Sequence, residues 1–182
     1  METPLNPRSL TTTLTIVALA IVALTAVATG CASTQRGPET MNRAIAFNPS
    51  EQVEPATDLL RSYFTALNAA DVEAIVPLYA QDAVFMAQHR PPAMGRAEIE
   101  TAYRENFGML RLDVELAIDE VVVVSPTVAY ARTHSTGTTV ILANGAEVSE
   151  GNSELFVLVR DNESDDWRIG RYIFSTSQPP RS

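Results

Sequence analysis

Apolar and polar positions follow two different periods along this chain, and the change falls near residue 110. Upstream the spacing is helical. Between about 51 and 69, Leu60, Phe64 and Leu67 recur at i, i+4 and i+7, and Leu59 with Tyr63 widens the same stripe. Pro55 leaves the start of this helix open. Asn68-Ala69-Ala70 closes it, and Asp71 is a good N-cap because its carboxylate accepts from the free N–H groups of the next turn. A second, short helix is predicted over 72–80, with Val72, Ile75, Val76 and Tyr79 on one face. Pro77 sits inside it and should kink or shorten it. Residues 82–87 (DAVFMA) read as a short strand, and the loop QHRPPAMG follows. A third helix runs from about 96 to 107 with Ile99, Ala102, Tyr103 and Phe107 on one face; Glu100 and Arg104 form an i,i+4 pair and Gly108 marks the stop.

Downstream the period becomes two. Leu110, Leu112, Val114, Leu116 and Ile118 alternate with Arg111, Asp113, Glu115, Ala117 and Asp119, and the strand continues through Val121–Val124 to Ser125-Pro126. A second long strand covers 127–142, with Gly137 as an expected bend or bulge. Asn144-Gly145 signals a two-residue hairpin turn into a third long strand, 146–160. An acidic turn, DNESDD, leads to a last strand, WRIGRYIFSTS. Helices first and a hairpin-linked sheet afterwards predict an α+β fold: three N-terminal helices packed on a curved antiparallel sheet. The hollow between the two layers is the default ligand site.

The first 30 residues carry a different signal. Leu10 to Thr29 is an uncharged, largely apolar run, preceded by Arg8 and the α-amino group, with Glu2 partly offsetting them. This describes an export signal. The break Ala28-Thr29-Gly30-Cys31 resembles a bacterial lipobox, which implies lipidation of Cys31; Gly30 fits that motif and Ala28, where Leu is usual, departs from it. The run is also just long enough to span a bilayer uncleaved, and it equally fits an ordinary cleaved signal. All three readings put the domain in the cell envelope or outside it. Residues 31–50 are polar, contain Gly and Pro, and read as a flexible tether. That leaves 51–178 as one domain.

Composition narrows the partners. The net charge is −9 and the pI about 4.7, against a nucleic-acid partner, whose phosphates need clustered basic residues. The lone Cys31 makes neither an internal disulfide nor a multi-thiolate metal site.

The runs YFTALNAADVEAIVPLYAQDAVF, MGRAEIETAY and WRIGRYIFS resemble the nuclear transport factor 2-like superfamily, which includes ketosteroid isomerases and SnoaL-like polyketide cyclases. More narrowly, FMAQHRPPAMG, YARTHSTGT, NSELFVL and WRIGRYIFST are similar to the SgcJ/EcaC-type branch. The resemblance implies a cone-shaped fold over about 51–178, and family habit implies a homodimer paired through exposed sheet faces. Fold alone does not fix activity. Ketosteroid isomerases use an Asp base with an oxyanion hole of a Tyr and a protonated Asp. Tyr63 matches the family's oxyanion Tyr. The base position falls at Met86 or Ala87, neither of which takes a proton, and the second acid falls at Glu154 or Leu155. Steroid-type isomerisation is therefore not expected.

Three residues are candidate catalytic groups. His89, in Gln88-His89-Arg90 at the expected cavity mouth, is a candidate general base or else an exposed loop residue. Arg132 and His134 lie two apart on a strand and share a face. If that face is concave, Arg132 binds a carboxylate or polarises a carbonyl with help from His134. If it is convex, Thr133 and Ser135 face the pocket instead. Glu154, amid Ser153, Leu155, Phe156 and Val157, is either an inward acid or base with a raised pKa or a surface residue. Tyr63, Phe85, Met86, Gln88, Tyr103, His134, Tyr172 and Phe174 are the candidate ligand-binding set, with the aromatic members weighed against plain core roles. Trp167 is expected to pack the end of the sheet. No metal site and no cofactor are expected, and there is no GxGxxG, GxxxxGK[ST] or GxSxG motif.

Function is read as an exported small-molecule binder whose ligand is apolar or polyketide-like. The alternatives are a cofactor-free cyclase, isomerase or hydrolase, and a non-catalytic homodimeric module.

Overall fold

A computed structural model describes residues 47–178 of the chain. The signal segment, most of the tether and Cys31 lie outside the described residues. After a 3-10 turn at Pro49–Gln52, helix α1 covers Val53–Asn68 and α2 covers Val72–Ile75. Asp71 caps α2 as its sequence predicts, accepting from the Ala74 amide at 2.9 Å. The expected helix over 72–80 stops early, because Pro77 cannot donate to an α ladder, and the chain tightens to a 3-10 turn over Val76–Leu78. Tyr79 thereby becomes the first residue of strand β1, Tyr79–Met86, rather than part of a helix. A two-residue strand β2, Ala93–Met94, follows within the loop, then α3, Gly95–Met109. Gly108 does not stop α3; the helix runs one residue further and passes directly into β3.

The long strands are β3 (Leu110–Ser125), β4 (Val128–Ile141), β5 (Ala146–Val159) and β6 (Arg168–Thr176). All six form one sheet in the order β2-β1-β6-β5-β4-β3. The sheet is mixed rather than wholly antiparallel: β1 joins β6 in parallel, since the chain returns to β1's flank only after the helical crossover and the meander. The β4–β5 connection is a four-residue loop, Leu142–Gly145, not a two-residue turn. Gly145 alone takes positive φ (71°), and Asn144 instead turns its side chain onto the Ala146 amide at 3.0 Å. Gly137 lies in register opposite Val114 without a bulge; a β-carbon there would overlap the Asp113 carbonyl oxygen, so it permits the close approach of β3 and β4.

α1 packs on β3 and α3 on β1, and the core between helices and sheet is dense in aromatics. β3 is an edge strand, so Val114 has backbone groups with no strand partner on its open side. Asn68 takes both: its amide donates to the Val114 carbonyl at 2.8 Å and its Oδ1 accepts from the Val114 N–H at 3.1 Å. That clamp fixes α1 against the sheet. Trp167 is buried at the far end, with the Arg160 guanidinium 4.3 Å over its ring. Among the described residues no helix is long and apolar enough to cross a membrane.

Candidate functional site

Period-two alternation gives each long strand two faces, and the helices decide which is inner. Phe156 and Ala131 pack beneath α1 as directly paired residues of β5 and β4, so positions 129, 131, 133 and 135 of β4 and 154, 156 and 158 of β5 point inward. Glu154 is accordingly buried at 5% exposure, while Leu155 faces out at 43%. The inner hydroxyls of β4 hold it. Thr133, its register partner, donates to Oε2, and Ser135 donates to Oε1 at 2.8 Å. Burial pushes the Glu154 carboxyl above its ordinary value, and the hydrogen bonds from Thr133 and Ser135 oppose the shift in part.

Beside it a cavity of about 220 Å³ lies between the helices and the sheet. Its aromatic wall is a stack: Phe85 lies parallel to Tyr103 and to Tyr172, each at 5.3 Å, and behind the wall Tyr172 stacks on the core residue Phe156 at 4.1 Å. Tyr63 meets Tyr172 edge-on at 5.5 Å. Three buried phenols form a chain, with Tyr103 in the middle, 2.7 Å from the Tyr63 hydroxyl and 2.8 Å from that of Tyr79. Burial holds all three protonated well above the usual phenol range. The chain has three protons and two links. Tyr79 is fully buried and bonds through its hydroxyl only to Tyr103 among the described residues. Two links use two of the three protons, and the Tyr63 ring lines the cavity at the end of the chain.

The structure thus gathers Tyr63, Phe85, Gln88, Tyr103, Glu154, Tyr172 and Phe174 around one cavity. Four of the expected residues are elsewhere. Arg132 and His134 lie on the outer face, where Asp119 binds both, at 2.7 and 2.9 Å. Thr133 and Ser135 take the inner positions, as the convex alternative requires. Met86 also faces out, beside Ile173, because its neighbour Phe85 faces in; Ala87 is the cavity-lining residue at the strand end. His89 is exposed on the loop with φ 61° and lies outside the cavity lining. Gln88 explains its setting. The Gln88 side-chain oxygen accepts from the Thr176 amide, so its nitrogen must donate to His89 Nε2, 2.7 Å away.

The sequence pattern hides Tyr79, because the period over 72–80 puts it on a helix while the structure starts β1 there. Glu150 and Asn152, which sequence reasoning also missed, line the cavity with Glu154. The signal was present: 150, 152 and 154 are i, i+2 and i+4 on one strand, so fixing one fixes all three. Among the described residues no three His, Cys, Asp or Glu side chains converge as a metal-ligand set.

A family model described as "SnoaL-like domain" matches residues 49–173. Among solved structures, a ketosteroid isomerase-like protein from Erwinia carotovora atroseptica is 32% identical, with 73% of this chain and 100% of that one covered and a TM-score of 0.68. A conserved protein from Planctomyces limnophilus is 21% identical over 68% of this chain and 95% of that one, at TM-score 0.59. A candidate scytalone dehydratase from Novosphingobium aromaticivorans is 14% identical over 69% and 83%, also at 0.59. The last two likenesses speak to fold alone. None of the curated proteins matches the chain.

Proposed function

The chain belongs to the SnoaL-like domain family, and on that premise we propose that it is an exported protein whose cone cavity takes up a small molecule with an apolar body. One observation carries this reading: a cavity of about 220 Å³ with an aromatic wall on one side and the buried, hydroxyl-held Glu154 on another. An apolar lining with a few convergent polar groups is the usual build of a small-molecule site. A volume of about 220 Å³ admits at least one ring with a short arm, since a dry cavity of about 150 Å³ already takes benzene. The loop and strand motifs quoted above favour the SgcJ/EcaC-type branch. The apolar run before Cys31 favours envelope attachment through a lipid on that cysteine, with an uncleaved anchor and plain secretion as the other routes.

A second reading, a cofactor-free isomerase or dehydratase, draws on the cavity-facing Glu154 as acid or base and the Tyr63 hydroxyl as donor. Against it stands Ala87, which occupies the base position and takes no proton. A homodimer is the third element of the proposal. The outer face of the sheet exposes Leu155 and Ile173 at 43% and 44%, with Val122 and Val128 on the same face; a second copy of that face would cover them.

Native mass spectrometry of the protein purified from the membrane fraction tests the proposal. A diacylglycerol-sized mass on Cys31 and a co-purifying small molecule are expected. A cytoplasmic, unprocessed chain would overturn the export reading. An empty cavity that takes up no compound from a library of one-ring molecules would overturn the binding reading.

A further inference from the structure

Along β5 the side chains of Glu150, Asn152 and Glu154 face the cavity in a row. The donors beside them are directed at the two carboxylates. Thr133 and Ser135 serve Glu154; Thr139 donates to Glu150 at 2.9 Å and the Asn152 amide donates to it at 3.0 Å. Because a carboxylate only accepts, Asn152 must present its nitrogen to Glu150 and turn its oxygen away. That oxygen is buried and has no hydrogen-bond partner among the described residues.

The wall is therefore acceptor-rich: each oxygen of the two carboxylates accepts one hydrogen bond and keeps a second lone pair, and the buried Asn152 oxygen is a further unpartnered acceptor beside them. The one cationic side chain in the lining is Arg90, at the loop, where it is exposed and paired with Glu105 at 3.2 Å. The same cavity is lined by the rings of Tyr63 and Tyr103 from the helices and of Phe85, Tyr172 and Phe174 from the sheet, Phe174 directly beside Glu154 as its register partner. Both carboxylates act on one point: after burial, the charge of Glu154 and, more weakly, that of Glu150 help to hold the Tyr172 hydroxyl protonated.

We propose that this cavity selects a compact organic ammonium ion, a protonated amine carried on a single aromatic or alicyclic ring. The proposal rests on the reading of the cavity as a ligand site. An ammonium group brings several N–H donors and a positive charge to a wall that offers acceptors and negative charge, and the rings that share the cavity add cation–π attraction. An alcohol supplies one donor and no charge. A carboxylate adds a third negative charge to a low-dielectric space.

Isothermal titration and side-chain NMR of the full-length protein with phenethylammonium, 2-phenylethanol and 3-phenylpropanoate test this. The ammonium should bind at least tenfold more tightly than the alcohol, with the carboxylate weakest. Glu150→Gln should cut ammonium affinity about tenfold and leave the alcohol unaffected. Glu154→Gln, the second variant should the first not fold, should do likewise. Glu147→Gln, on an exposed part of β5, should change nothing, which separates the cavity from the diffuse attraction of a chain with net charge −9. Equal or tighter binding of the alcohol or carboxylate overturns the amine class and leaves the cavity reading intact. If none of the three shifts the resonances of Tyr63 and Phe174, both fall.

Discussion

Ser135 reaches diagonally across the β4–β5 ladder to donate to Glu154 at 2.8 Å, although its own register partner is Asn152. With Thr133 on the other oxygen, the carboxylate is fixed before any ligand arrives. The cost of burying it is only partly offset, and the consequences can be measured.

Glu154 has a folded-state pKa raised above its unfolded value. The folded protein therefore binds this proton more tightly than the unfolded chain. Its contribution to stability is fully present below the unfolded value near 4.5 and is lost as pH rises through the raised folded value. Glu154→Gln should be more stable than the parent at neutral pH, by on the order of 1 kcal/mol, with the difference vanishing toward pH 4. Urea titrations across that range check it; a difference that grows on acidification would reverse the sign.

The tyrosine chain predicts an order of damage. Tyr103→Phe leaves the hydroxyls of Tyr63 and Tyr79 without their shared partner and should cost about 1–3 kcal/mol. Tyr79→Phe removes only the end of the chain and should cost about 1 kcal/mol. Equal losses in denaturant titrations would mean the links are not connected.

Two glycines should respond oppositely to alanine. At Gly137 the new β-carbon overlaps the Asp113 carbonyl, so Gly137→Ala should cost about 2 kcal/mol or more and loosen β3 from β4. Gly108 lies within α3 with open space around it, so Gly108→Ala should stabilise by about 0.5–1 kcal/mol. Thermal unfolding and amide exchange at Val114 distinguish the two.

Arg132 and His134 serve as controls for the site. Both sit on the outer face with Asp119, so Arg132→Gln and His134→Gln should leave ligand affinity within about twofold. They should cost less than about 1 kcal/mol each, as exposed side-chain pairs do. A large loss of binding would mean that the outer face contributes to the site.

Much of this was legible in the residues. The α1 stripe, the cap at Asp71 and the alternation from Leu110 are local properties, and each appears where its period puts it. The second helix is shortened at Pro77 as its sequence predicts, and ends at Ile75 rather than near 80. The tyrosine chain was illegible because its members come from a helix, a strand and another helix, at separations of 40 and 24 residues.

Sequence alone determined that Thr133 and Ser135 share one face and Arg132 and His134 the other. It also determined that Glu154 goes where Asn152 and Glu150 go. Which face turns inward was decided only by the tertiary structure. An alternating strand reads the same with its faces exchanged, and that symmetry is broken only when α1 and α3 cover one side of the sheet.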